Sequence, residues 1–180
     1  MPTLTGFGPA LMGVIPTDVS GGGDQFPKFP PMQEVDYNGG RYIYVKSTGG
    51  TGSVATANGA AAYWTDAANG TVSPDKSDGQ QGGTAGAHGA MVAGVYQGII
   101  TSGYYTWLQK RGVRSGVLLA AGDSNGLAGN KIFPPITNVD STFRSEALDS
   151  ISGEEITAQT VGFQLGAGTG NTATVLLQII

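Results

Sequence analysis

Apolar residues along this chain gather in short runs separated by glycine-rich gaps, and the densest gathering spans residues 91–112. Two runs rich in β-branched and aromatic side chains flank Thr101-Ser102-Gly103. A short, Gly-containing connection between such runs predicts a hairpin. The second run carries Tyr104, Tyr105, Trp107 and Leu108, which makes both of its faces apolar. Such a hairpin needs a second layer or a neighbouring subunit over it.

Further strands are readable on either side. Asn38-Gly39-Gly40 is a turn signal, and Arg41-Tyr-Ile-Tyr-Val-Lys46 after it is aromatic and β-branched. A weaker strand is expected around residues 60–64, then a Gly/Ser/Asp-rich surface loop over about residues 73–89. After the central hairpin come Val117-Leu-Leu-Ala-Ala121 and a last hairpin, residues 155–165 and 172–180, across the glycine-rich residues 166–171. In its final strand Ala173, Val175, Leu177 and Ile179 form one wholly apolar face at period two. Residues 141–151 are the one predicted helix: Ser141 caps it, with Phe143, Ala147, Leu148 and Ile151 at helical spacing.

Composition narrows the fold class. Charged residues are only 12% of the chain and glycine supplies 31 of 180 positions. Glycine inside a helix costs roughly 1 kcal/mol against alanine, so a helical protein is disfavoured. The expected fold is mainly β, a compact sandwich or small barrel with one short helix, over residues 37–180. Residues 1–36 read as a separate extended arm. They hold Pro2, Pro9, Pro16, Pro27, Pro30 and Pro31, yet also Phe7, Leu11, Phe26 and Phe29. Proline removes ladder donors, and a free linker is usually polar, so an apolar Pro-rich arm suits a strap on another surface, with a poorly ordered terminus as the equal alternative.

Charge and chemistry exclude more than they suggest. The net charge is −4 with no run of either sign, so nothing resembles the basic stripe that nucleic acid requires. Lys110, Arg111 and Arg114 form the only basic cluster, expected at a solvated hairpin end. There is no cysteine and one histidine, His88, without a patterned nucleophile or carboxylate beside it. Asp123-Ser-Asn125-Gly126 begins like a calcium loop but lacks the bidentate Glu further on. Asp75, Asp78, Glu154 and Glu155 form no acid/base pair, and the Gly-x-Gly matches lack the Lys of a phosphate loop. No catalytic set, cofactor site or metal site is therefore expected. No stretch approaches the roughly 20 apolar residues of a membrane span, and no signal peptide is read at the start.

One resemblance emerges from the order of these segments. Tyr42-Ile-Tyr-Val45, Ala93-Gly-Val-Tyr-Gln-Gly98, Thr101-Ser-Gly103-Tyr-Tyr-Thr-Trp-Leu-Gln109, Gly112, the run 117–121, Ala147-Leu148 and a closing hairpin follow one another. This resembles the small β-rich head decoration, or cement, proteins of tailed bacteriophages. The likeness covers about residues 88–180; the arm and residues 47–87 have no counterpart. It implies a non-enzymatic virion protein on the capsid surface, assembled in the host cytoplasm, that binds the major capsid protein and forms homo-oligomers. Neither nucleic acid nor membrane is an expected partner. Phe7, Leu11, Phe26 and Phe29 in the arm, with Tyr104, Tyr105 and Trp107 in the hairpin, are the expected partner-binding residues. The competing expectation is a tail fibre or spike component that recognises a host-surface glycan through exposed aromatics.

Overall fold

The computed structural model describes residues 16–17, 22–49, 56–79, 91–120, 128–134, 142–146 and 160–180. Ten strands form one hydrogen-bonded system: β1 (Glu34–Tyr37), β2 (Gly40–Ser47), β3 (Ala61–Asp66), β4 (Thr71–Ser73), β5 (Val92–Tyr96), β6 (Tyr105–Leu118), β7 (Lys131–Phe133), β8 (Arg144–Glu146), β9 (Gly162–Gln164) and β10 (Thr172–Gln178). The mainly β expectation holds, and the choice between sandwich and barrel resolves into a barrel with an appendage. Strands β2, β4, β3, β5 and β6 run side by side, and β6 returns to β2 to close a five-stranded barrel. Closure removes the free edges that an open sheet would present.

Strand β6 joins the two parts. Its first half pairs β2, from Lys46↔Tyr105 to Arg41↔Arg111, and meets β5 at Val95↔Gln109 and Tyr96↔Leu108. Its second half leaves the barrel and pairs β10, from Arg111↔Gln178 to Leu118↔Thr172. Strands β9, β7 and β8 extend that second sheet outward. Lys110, Arg111 and Arg114 thus lie in the middle of a 14-residue strand rather than at a hairpin end. The expected hairpin is real, but its connection runs from Gln97 to Tyr104, with the Thr101–Tyr104 turn closed by Tyr104 N donating to Thr101 O at 3.0 Å.

Strand alternation sorts side chains into three apolar layers. Ile43, Val45, Ala62, Trp64, Val72, Tyr96 and Leu108 fill the barrel interior. Ala61, Tyr63, Val92 and Val95 point the other way and meet Val117, Ile132, Val161, Val175, Leu177 and Ile179 from the appended sheet. Tyr42, Tyr44 and Trp107 face outward on the opposite wall, where Phe29 covers them. The period-two face of the final strand is borne out, since Ala173, Val175, Leu177 and Ile179 are all buried.

Backbone geometry at two places, a turn and a close approach, makes this packing possible. Asn38 and Gly39 both have positive φ, 46° and 76°, as the tight turn from β1 to β2 requires. Gly59, at φ 83°, lies so close to β6 that a Cβ there would stand 1.8 Å from the Gly116 carbonyl oxygen.

Two further expectations need correction. The helix over residues 141–151 is not formed where the chain is described: Phe143 bridges Leu119, and Arg144–Glu146 is β8, paired with β7. Residues 147–151 lie outside the described residues. The apolarity of Phe143 marks its place in the core between barrel and appended sheet, beside Leu119, and not a helix face. The surface loop over about residues 73–89 is described only to Gly79, and its start is buried. Ser73 ends β4, Asp75 and Lys76 are 3% and 4% exposed, and Lys76–Asp78 makes a single 3-10 turn.

Candidate functional site

The aromatic wall is built from a strap and two strands. Residues 22–33 cross β2 and β6 and are tied down by backbone bonds in both directions. Asp24 and Tyr105 exchange N–H···O bonds at 2.8 Å, Met32 N donates to Tyr44 O, and Tyr44 N donates to Gln33 O. Phe29 sits edge-on to Tyr44, with centroids 5.4 Å apart, and 5.3 Å from the Trp107 ring. Tyr105 stacks on Tyr44 at 5.9 Å. The Tyr44 hydroxyl donates to Asp24 Oδ2 at 2.9 Å and accepts from Lys28 N at 3.2 Å. Burial pushes this phenol well above its usual range, and the same cause raises Tyr96 inside the barrel. The Trp107 indole N–H is buried without a hydrogen-bond partner among the described residues.

The seven residues expected to meet a partner therefore divide. Phe29 and Trp107 are buried against each other within the chain, and Tyr105 joins their cluster while half-buried. Tyr104 is half-buried against the barrel interior. Phe26 stands 74% exposed. Phe7 and Leu11 lie outside the described residues. The chain's own strap thus supplies a cover over the aromatic face.

A different surface is left open. On the outer face of the appended sheet, Val113 of β6 stands opposite Leu176 of β10, which stands opposite Phe163 of β9. Val113 is 61% exposed, Leu176 and Phe163 are half-buried, and Leu165, just past the end of β9, is 46% exposed. The signal was present in the sequence. Leu176 breaks the polar face that Thr172, Thr174 and Gln178 make.

Two residues along, a second row crosses four strands: Asp36 of β1, Arg41 of β2, Arg111 of β6 and Gln178 of β10. Arg41 Nε donates to Asp36 Oδ1 at 2.9 Å, and Arg41 Nη1 lies 3.9 Å from Glu34. This bond to Arg41, with weaker fields from Arg41 and Arg111, holds the Asp36 carboxyl below its usual range. Lys110 is paired with Glu34 at 2.7 Å, and the half-buried Arg114 donates to Asn58. Arg111 is exposed and makes no ion pair within 4 Å among the described residues.

Arg111 separates two shallow depressions. One, of about 380 Å³, is lined by Asp36, Tyr37, Asn38 and Arg41; the other, of about 420 Å³, by Leu176, Leu177, Gln178 and Ile180. Both lie at the small end of the range for ligand sites, roughly 300–1,000 Å³.

Other sequence candidates contribute less. Asp75 Oδ1 accepts from Ser77 N at 2.8 Å and Ser77 Oγ at 2.6 Å, while Ser73 Oγ donates to Asp78. Those carboxylates organise the 3-10 turn. His88, residues 123–126, Glu154 and Glu155 lie outside the described residues. Among the described residues no group of three or more His, Cys, Asp and Glu is placed to hold a metal ion. No described helix is long and apolar enough to cross a membrane. No protein-family model matches the chain, and no curated protein sequence matches it.

Proposed function

We propose that this protein is a virion structural protein, a capsid decoration or cement protein that binds and stabilises a shell of major capsid protein and acts as a homo-oligomer. One observation carries the reading. The outer face of the appended sheet bears an exposed apolar row, Val113–Leu176–Phe163, on strands whose other face is buried. An apolar row on a rigid platform suits a protein partner, because little conformational entropy is lost on docking. The choice of capsid protein as that partner rests on the sequence resemblance over residues 88–180 alone. The sheet edges add support: β1 carries Glu34 and Asp36 at one edge, and β8 carries Arg144 and Glu146 at the other. Short, charged edges discourage strand addition, which leaves the face as the docking element.

The test is co-sedimentation of the purified chain with capsids assembled without it, followed by heating. The decoration reading expects saturable binding and a higher temperature of capsid rupture. Virions lacking the protein that keep full resistance to heat would overturn it.

A second reading, a host-surface glycan-binding protein, has its own observation. Tyr37, Asn38 and Arg41 line one depression at the β1–β2 turn, and an aromatic ring beside amide and guanidinium donors suits a sugar. Glycan-array binding without capsid binding would select it.

A further inference from the structure

Residues directly opposite one another in an antiparallel pair interact, and like charges there are destabilising. Arg41 and Arg111 occupy such a position across β2 and β6. Asp36 and Glu34 pair with Arg41 and Lys110, whereas Arg111 beside them makes no ion pair within 4 Å among the described residues. The fold therefore sets an exposed guanidinium between one depression lined by Asp36, Asn38 and Arg41 and another lined by Leu176, Gln178 and Ile180. Its apolar neighbours are Val113, two residues along the strand, and Leu176 across from Val113.

We infer that Arg111, supported by Arg41, binds a carboxylate side chain of the partner protein, and that an apolar residue next to that carboxylate rests on Val113, Leu176 and Ile180. This rests on the reading of the protein as one that docks on another protein. The chemistry follows from the guanidinium fork, which takes a carboxylate through two parallel N–H···O bonds. Gln178 lies at the next position in the row, and its amide offers a further donor. Arg111 lines both depressions, so an acidic and an apolar side chain from one extended segment can occupy the two sides of it. A protein segment is favoured over an acidic sugar because Leu176 and Ile180 in the larger depression, with Val113 opposite Leu176, set apolar side chains directly beside the guanidinium. Asp36 faces the site, but its bond to Arg41 keeps it engaged away from an incoming carboxylate.

The experiment is an NMR titration of the full, isotope-labelled chain with the blocked dipeptide acetyl-Glu-Leu-amide. Acetyl-Gln-Leu-amide and N-acetylneuraminic acid serve as comparison probes, and capsid co-sedimentation is measured in parallel. Shifts are expected at Arg41, Arg111, Val113 and residues 176–180 with the Glu probe, and roughly tenfold weaker binding with the Gln probe. Arg111→Gln is expected to abolish the difference between the two dipeptides while leaving the melting temperature unchanged or raised, because it relieves a like-charge pair. A purely structural arginine would lower it. Equal binding of the two dipeptides, no binding by either, or shifts from N-acetylneuraminic acid alone would overturn the inference. Failure with the dipeptide while capsids still bind removes this inference and leaves the capsid reading intact. Dipeptide binding without capsid binding does the reverse.

Discussion

The two halves of β6 belong to one continuous 14-residue strand and have opposite surroundings. From Thr106 to Gln109 every residue is buried, with Trp107 facing the strap and Leu108 facing the barrel interior. From Arg111 to Ser115 exposed and half-buried residues alternate, and Val117 is the next residue fully buried. The difference is the number of layers. The first half lies between the barrel core and Phe29, whereas the second half has apolar cover on one side only. A strand apolar on both faces thus reports a three-layer region, and the third layer here is the chain's own segment.

The largest effect should come from removing what holds the second half in place. Deletion of residues 172–180 withdraws Ala173, Val175, Leu177 and Ile179 from the layer between barrel and appended sheet. Their burial contributes on the order of 6–10 kcal/mol, comparable with the whole stability of a domain. The truncated chain should fail to fold as a soluble species, judged by size exclusion and circular dichroism. If it elutes as a compact monomer with native dichroism, the barrel stands without its appendage.

Next in size are the strap contacts. Trp107→Ala and Phe29→Ala should each cost about 3–5 kcal/mol. Because the rings touch, the double variant should cost less than the sum, with a coupling of about 0.5–3 kcal/mol. Denaturant unfolding of the four proteins measures it. Additive losses would mean that the strap does not dock on β6 in solution.

Much of this fold was readable, and the failures share one cause. The period-two face of β10 and the Asn38-Gly39 turn were legible because each is set by neighbouring residues. The barrel was not, since it depends on β2 pairing β6 across about sixty residues of chain, and no local pattern fixes that partner. The same limit assigned Trp107 and Phe29 to a partner surface. Apolarity on two faces demands a cover but does not say whose. Strand β8 was read as helix because three residues are too few to show alternation, while Phe143, Ala147, Leu148 and Ile151 around it fall at helical spacing. The Arg41–Arg111 opposition lies beyond any sequence window, because only the strand register makes them neighbours.

Alkaline titration distinguishes the covered region from the open one without mutation. Tyr44 and Tyr96 have phenol pKa values raised by burial, and Tyr42 shifts the same way. A raised folded value means that the native state resists ionisation. Stability is then complete below the unfolded value of about 10 and falls as pH climbs above it. These three of the seven tyrosines should therefore gain phenolate absorbance only together with unfolding at high pH. If Tyr44 ionises at its ordinary pH in a folded chain, the strap is not closed over it.

The smallest effect on stability belongs to the open half. Val113 is 61% exposed, so Val113→Ser should change stability by no more than about 0.5 kcal/mol. Its value lies in pairing that neutrality with a binding measurement. Under the proposed function the same change removes apolar contact at the docking face and should weaken capsid co-sedimentation while the melting temperature holds. Loss of stability greater than about 1 kcal/mol would place Val113 under a cover like that over Trp107, and the contrast between the two halves of the strand would collapse. Unchanged stability with unchanged capsid binding would keep the contrast but move the docking face elsewhere, toward the exposed Phe26.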